Sequence, residues 1–89
     1  MPVRRLARQE IGDRGAAIYA SKLRPLLEPQ RFGEFVAIDV ETEDYEVATD
    51  ADVASDRLWE RRPDAQILVE RIGYSSVFHA LGMRTTQLL

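Results

Sequence analysis

The chain contains no cysteine in its 89 residues and a single histidine, His79. Without thiols there are no disulfides, no thiolate metal sites and no cysteine nucleophile, which fits a reducing compartment. Zinc-ligand spacing is excluded with them. No apolar run approaches the ~20 residues a membrane-spanning helix needs. The opening "MPVRRLARQEIGDRGAAIYASKL" is basic at first but has no continuous apolar stretch and no small-residue cleavage site. It reads as part of the mature protein, and the location as cytoplasmic. There is no phosphate-binding glycine loop, no internal repeat and no nucleophile-elbow motif around Ser75 or Ser76. Those serines and His79 therefore fall short of a hydrolase constellation.

What is present describes one small folded domain. Hydrophobic residues make up 45% of the chain and charged residues 30%, a balance that argues against disorder. A domain of this size buries only about 60–65% of the surface its unfolded chain exposes, so association with a second chain would help it. The net charge of −3 is unevenly spread. Met1 to Arg31 holds seven basic residues against three acidic ones, whereas Glu34 to Asp56 holds nine acidic residues and no basic one. An acidic balance of this kind opposes phosphate contact, and nucleic acid is not expected as a partner.

Periodicity predicts an N-terminal helical segment over 1–29, a ββαββ core over 33–82 and a tail over 83–89. In the first segment Leu6, Ile11, Ile18 and Leu23 recur near helical spacing, with Tyr19, Leu26 and Leu27 beside them. Gly12 and Gly15 weaken its middle, so the helix either starts near Asp13 or bends there. Pro25 kinks its end and Pro29 stops it. Phe35 to Val40 is apolar on both faces and reads as a central strand. Glu41 to Asp44 makes the turn and Tyr45 to Ala48 a second strand. A second helix follows, capped by Thr49, acidic at its start and basic at its end, with Pro63 beyond. "AQILVERI" is a third strand, "GYSS" a turn and "VFHAL" a fourth strand. A right-handed crossover gives the order 2-1-3-4. The expected fold is α+β, a small antiparallel four-stranded sheet with both helices on one face.

Two sets of residues are candidates for function. Asp39 and Glu41, two apart on a strand after an apolar run, resemble the first motif of DEDD-type exonucleases, where such carboxylates hold paired Mg²⁺. The further aspartates and the histidine or tyrosine of that pattern are missing, and Glu43-Asp44 replaces its threonine-glycine continuation. A simpler cation site could draw on Asp39, Glu41 and Glu43, with Asp44 and Glu46 nearby. The second set is apolar. A long first helix and the open edges of the outer strands make Leu6, Ile11, Ile18, Tyr19, Tyr45 and Val47 the candidate contacts with a partner.

The strings "IYASKLRPLLEPQRFGEFVAIDVETEDYEV" and "RRPDAQILVERIGYSSVFHALG" resemble a family of short uncharacterised bacterial proteins. Its members carry an isoleucine-tyrosine pair on a helix, a "VAIDIETGDYE" strand and a late "RIGY" segment. The likeness runs from Ile18 to Gly82, and is most specific over Ala37–Thr42 and Arg71–Tyr74. Glu43 stands where the family usually has glycine. Members look like partners of small neighbouring genes, some encoding retropepsin-like aspartic peptidases, which implies an interaction or antitoxin-like role. The expectation is therefore a protein-interaction module, the antitoxin-like or regulatory half of a two-gene pair, with no catalytic residue and no cofactor. Its partner would be a second copy or the neighbouring gene's product. The alternative is a small metal-dependent hydrolase or nuclease using the Asp39 and Glu41 carboxylates.

Overall fold

The computed structural model describes residues 5–74 and 78–83, the latter by their backbone. The chain is α+β with an antiparallel sheet. A long N-terminal helix consists of α1 (Arg8–Ile18), a π-helical turn (Tyr19–Leu23) and α2 (Arg24–Arg31). Then follow β1 (Phe35–Asp39), β2 (Tyr45–Ala48), α3 (Ala51–Arg61), β3 (Gln66–Arg71) and β4 (Phe78–Met83). The strands lie in the order β2-β1-β3-β4, each pair antiparallel. Among the described residues no helix is long and apolar enough to cross a membrane.

The helices do not share a face, as expected from the sequence, but cover opposite faces. Val36, Ile38 and Val40 of the β1 segment join Leu68 and Ile72 in a core with Leu6, Ile11, Ile18, Tyr19, Leu23 and Leu27. Ala37, Ile67 and Val69 point the other way, into a core with Ala54 and Leu58 of α3, against which Phe35 and Trp59 pack. The reason lies in β1 itself. Alternate residues of a strand face opposite sides, and here both sets are apolar, so both faces must be covered. Ile38 and Leu68 consequently meet the N-terminal helix, whereas Ile67 meets α3.

The long helix is continuous through both glycines. It begins at Arg8, where the Glu10 carboxylate accepts the Ala7 N–H at 3.1 Å. At Gly15 the helix lies directly on Leu68, and a Cβ there would come within 2.6 Å of the Leu68 Cβ. Glycine is thus what lets helix and sheet approach. Pro25 is accommodated because the π turn precedes it: the Arg24 N–H reaches back to the Tyr19 carbonyl, and Pro25 opens a new helical segment. Nor does Pro29 stop the helix, which runs on to Arg31. Its missing N–H leaves only the Pro25 carbonyl without an intrahelical donor, on an exposed turn that water reaches.

Asp50, not Thr49, occupies the N-cap of α3, without a side-chain cap bond. The Ser55 hydroxyl is buried on the sheet-facing side of α3 and has no hydrogen-bond partner among the described residues. Ser75, Ser76 and the expected tail beyond Met83 lie outside the described residues. Met83 itself belongs to β4, and His79 sits on β4 opposite Val69.

The two helical glycines should respond oppositely to alanine. Gly12 has nothing within 4 Å of an added Cβ, so Gly12→Ala should raise stability by up to about 1 kcal/mol through helix propensity. Gly15→Ala should lower it by about 1–3 kcal/mol through overpacking against Leu68. Denaturant melts of the two variants check both signs, and equal effects would contradict the close approach.

Candidate functional site

The carboxylates singled out from the sequence are not gathered together. Asp39 is buried and organises the hairpin turn: its Oδ1 accepts the Glu41 N–H at 3.1 Å and its Oδ2 the Thr42 hydroxyl at 2.7 Å. The Glu41 carboxylate accepts from Gln66 Nε2 at 3.2 Å. Glu43 pairs with Lys22 of the π turn at 2.6 Å. The three acids thus share no partner. Among the described residues no group of three or more histidine, aspartate or glutamate side chains could hold a metal ion.

The rest of the acidic run is met by the basic end of α3. Arg61 Nη1 and Arg62 Nε both reach Asp44 Oδ2, at 2.5 and 2.8 Å, and Arg61 Nε reaches Glu46 Oε2 at 2.8 Å. These guanidinium hydrogen bonds hold the Asp44 carboxyl down at about 2. A cleft of about 300 Å³ beside them is lined by Asp39, Glu41, Thr42, Arg61, Arg62, Pro63, Asp64 and Ala65. Its two arginines are already paired with Asp44 and Glu46.

The expected contact residues also lie elsewhere than foreseen. Leu6, Ile11, Ile18 and Tyr19 are buried in the chain's own core, with Tyr45 and Val47 packed against it. The edge of β2 is blunted as well. Arg61 Nη2 donates to the Tyr45 carbonyl at 3.2 Å, and the Tyr45 N–H donates to Asp44 Oδ1 at 2.9 Å. An incoming strand would find those groups occupied.

At the other end of the β1–β3 ladder the structure gathers residues that sequence reading did not connect. Tyr19, Arg24, Glu28, Glu70, Gly73 and Tyr74 line a cleft of about 360 Å³. Tyr19 is placed by the π turn, Arg24 and Glu28 by α2, and Glu70 by the inward-facing set of β3. The Tyr19 hydroxyl donates to Glu28 Oε2 at 2.8 Å and accepts the Gly73 N–H at 3.1 Å. Burial, against the opposing Gly73 bond and with help from Glu28, pushes the phenol up to about 12. Arg24 lies over the Tyr19 ring at 5.5 Å and 3.4 Å from Glu28.

The "RIGY" segment closes this end. Arg71 lies over the Tyr74 ring at 4.2 Å and the Phe35 ring at 5.6 Å, and donates to the Gly33 carbonyl at 3.1 Å. Ile72 is fully buried. Gly73 has φ +90° beneath the Phe32 ring, a position that a Cβ could not share. Phe32 and Tyr74 meet with ring centroids 5.4 Å apart.

Glu70 is the exception in this cleft. Its residue is only 5% exposed, and among the described residues no donor hydrogen-bonds its carboxylate. Burial first, then the Glu28 charge, raise its pKa to about 7 against the lowering effect of Arg24. A local signal for it was absent: in "LVERI" it looks like any strand glutamate, and its partners lie more than forty residues earlier in the chain.

No protein-family model, curated protein or solved structure matches the chain.

Two outcomes are expected. Glu43 has φ +68°, where the side chain is strained and glycine is not. Glu43→Gly should therefore be neutral or stabilising by up to about 1 kcal/mol despite losing the exposed Lys22 pair, whereas Glu43→Gln should be slightly destabilising. Melting temperatures of the pair check the turn. For Glu70, the folded chain keeps between its ordinary value of 4.5 and about 7 a proton that the unfolded chain has released. Stability should fall as pH rises through that window, by on the order of 2 kcal/mol, and level off above it. Glu70→Gln should remove this component, so its advantage over the native chain should grow from pH 5 to 8. A pH-independent difference between the two would show Glu70 to be an ordinary carboxylate.

Proposed function

We propose that the chain is a cytoplasmic protein-interaction module, the regulatory or antitoxin-like member of a pair, and that it docks its partner through the aromatic end formed by Phe32 and Tyr74. The partner is either a second copy or the product of a neighbouring gene. The observation that supports this reading is exposure of large apolar side chains where two rings are already braced together. Phe32 is 64% and Tyr74 39% exposed, and Leu26 on the outer side of α2 is 62% exposed. Fixed aromatics surrounded by charged groups are the usual anchors of protein contacts. Tyr74 lines a cleft and is held by cation–π contact with Arg71, and the Phe32 ring lies close over Gly73. The carboxylates of the alternative hydrolase reading are engaged in turn and ion-pair contacts and lack the convergence that metal chemistry needs.

Light scattering at micromolar concentration, alone and with the neighbouring gene's product, tests the proposal. The expected result is a mass above the 10.1 kDa of one chain in at least one of the two conditions. A Phe32→Ser, Tyr74→Ser double variant that still folds should return to a monomer. A native chain that remains monomeric in both conditions would overturn the reading.

A further inference from the structure

We propose that the cleft between the Tyr19 turn and the "RIGY" segment receives a lysine or arginine side chain of the partner polypeptide, with Glu70 as its counter-charge. This rests on the interaction reading above and names the chemistry that the contact recognises.

Three observations converge on a cation. The first is Glu70, a residue only 5% exposed whose carboxylate opens onto a cleft of about 360 Å³, without a hydrogen-bond donor among the described residues. A buried carboxylate lacking a donor is stabilised most by a cation brought within a few ångströms. The second is the fate of the chain's own cations. Arg24 is turned to Glu28 and the Tyr19 ring, and Arg71 to Tyr74, Phe35 and the Gly33 carbonyl. Neither makes an ion pair with Glu70. The third is the lining itself. Tyr19 and Tyr74 offer aromatic surface beside the Glu28 and Glu70 carboxylates, and Arg24 already shows a guanidinium held by the ring-plus-carboxylate combination.

Among the described residues the groups facing Glu70 are few. The long helix contributes Arg24, Glu28 and the Tyr19 phenol, while Val36 of β1 and the backbone of Phe78 of β4 flank it in register. Glu28 adds negative charge but already accepts from Tyr19. An arriving ammonium or guanidinium would therefore give the Glu70 carboxylate the ion-pair partner it lacks among the described residues, and Glu70 would release its proton as the pair forms. Recognition should strengthen as pH rises from 5 to 8, because the protonated acid offers the cation little.

The test uses the full chain and two small probes, blocked lysine amide and its neutral counterpart, blocked norleucine amide. Amide shifts of Gly73 and Tyr74 and the side-chain carboxyl shift of Glu70 are followed by NMR during titration. Near pH 8 the lysine probe should bind at least about tenfold more tightly than norleucine, and lower the Glu70 titration midpoint. That preference should shrink near pH 5 and disappear in Glu70→Gln, a near-isosteric change whose fold is checked by the dispersion of the same spectra. Equal binding of the two probes would overturn the cation assignment while leaving the aromatic contact standing. No lysine-induced shift at the cleft would overturn it too, whereas failure of the interaction reading itself is seen separately in the light-scattering experiment.

Discussion

The central strands β1 and β3 carry apolar side chains on both faces, and the chain has only two helical stretches with which to cover them. Each face therefore receives one. Val36, Ile38 and Leu68 are sealed by the N-terminal helix, and Ala37, Ile67 and Val69 by α3. The demand on the first helix is the heavier. It must reach from β4, against which α1 packs, to the far end of β1. Close contact at Gly15 is one consequence. The helix also has to continue through two prolines, because stopping earlier would leave Leu23, Leu27 and Ile72 uncovered.

That length explains the π turn. An α-helix running into Pro25 would lose a donor and press the ring on the carbonyl four residues back. Widening the preceding turn places the Arg24 N–H on the Tyr19 carbonyl and starts a fresh segment at the proline. The change of phase also sets where Tyr19, Arg24 and Glu28 stand. All three come to the same end of the sheet as Gly73, so that the Tyr19 hydroxyl links α2 to the "RIGY" turn. The isoleucine-tyrosine pair, the acidic hairpin and the late "RIGY" string, which are far apart in sequence, each have a local structural task here.

The elements themselves were legible from the residues. Acidic start, basic end and Pro63 delimit α3, and short apolar runs mark the central strands, because these features act over a few neighbouring residues. The expectation of both helices on one face was wrong: Phe35–Val40 is apolar on both sides, so both faces needed cover, and the sheet order alone does not carry that information. What could not be read was convergence over distance. Leu6, Ile11, Ile18 and Tyr19 looked like surplus apolar surface because a helix pattern does not reveal how much sheet it must cover. The acidic run looked uncompensated because Arg61 and Arg62 fold back onto Asp44 from the far end of α3. Glu70 drew no attention because its place in a strand assigns it to a side without saying what covers that side.

The two ends of the sheet treat charge in opposite ways, and the contrast bears on what the domain is for. Around the β1–β2 turn each carboxylate has a donor, and Asp44 is held at about 2 by its arginines. At the other end Glu70 is driven to about 7 because burial, helped by the Glu28 charge, outweighs the pull of Arg24. The first arrangement stabilises the folded chain at neutral pH, whereas the second opposes it. A glutamine would fill the same space without that penalty, and in so small a domain such a penalty is a sizeable fraction of the total stability. Local rules of this kind are broken at sites that serve something other than folding. The position of Glu70 in an open cleft, beside two braced aromatic rings, places that exception where a second molecule has access.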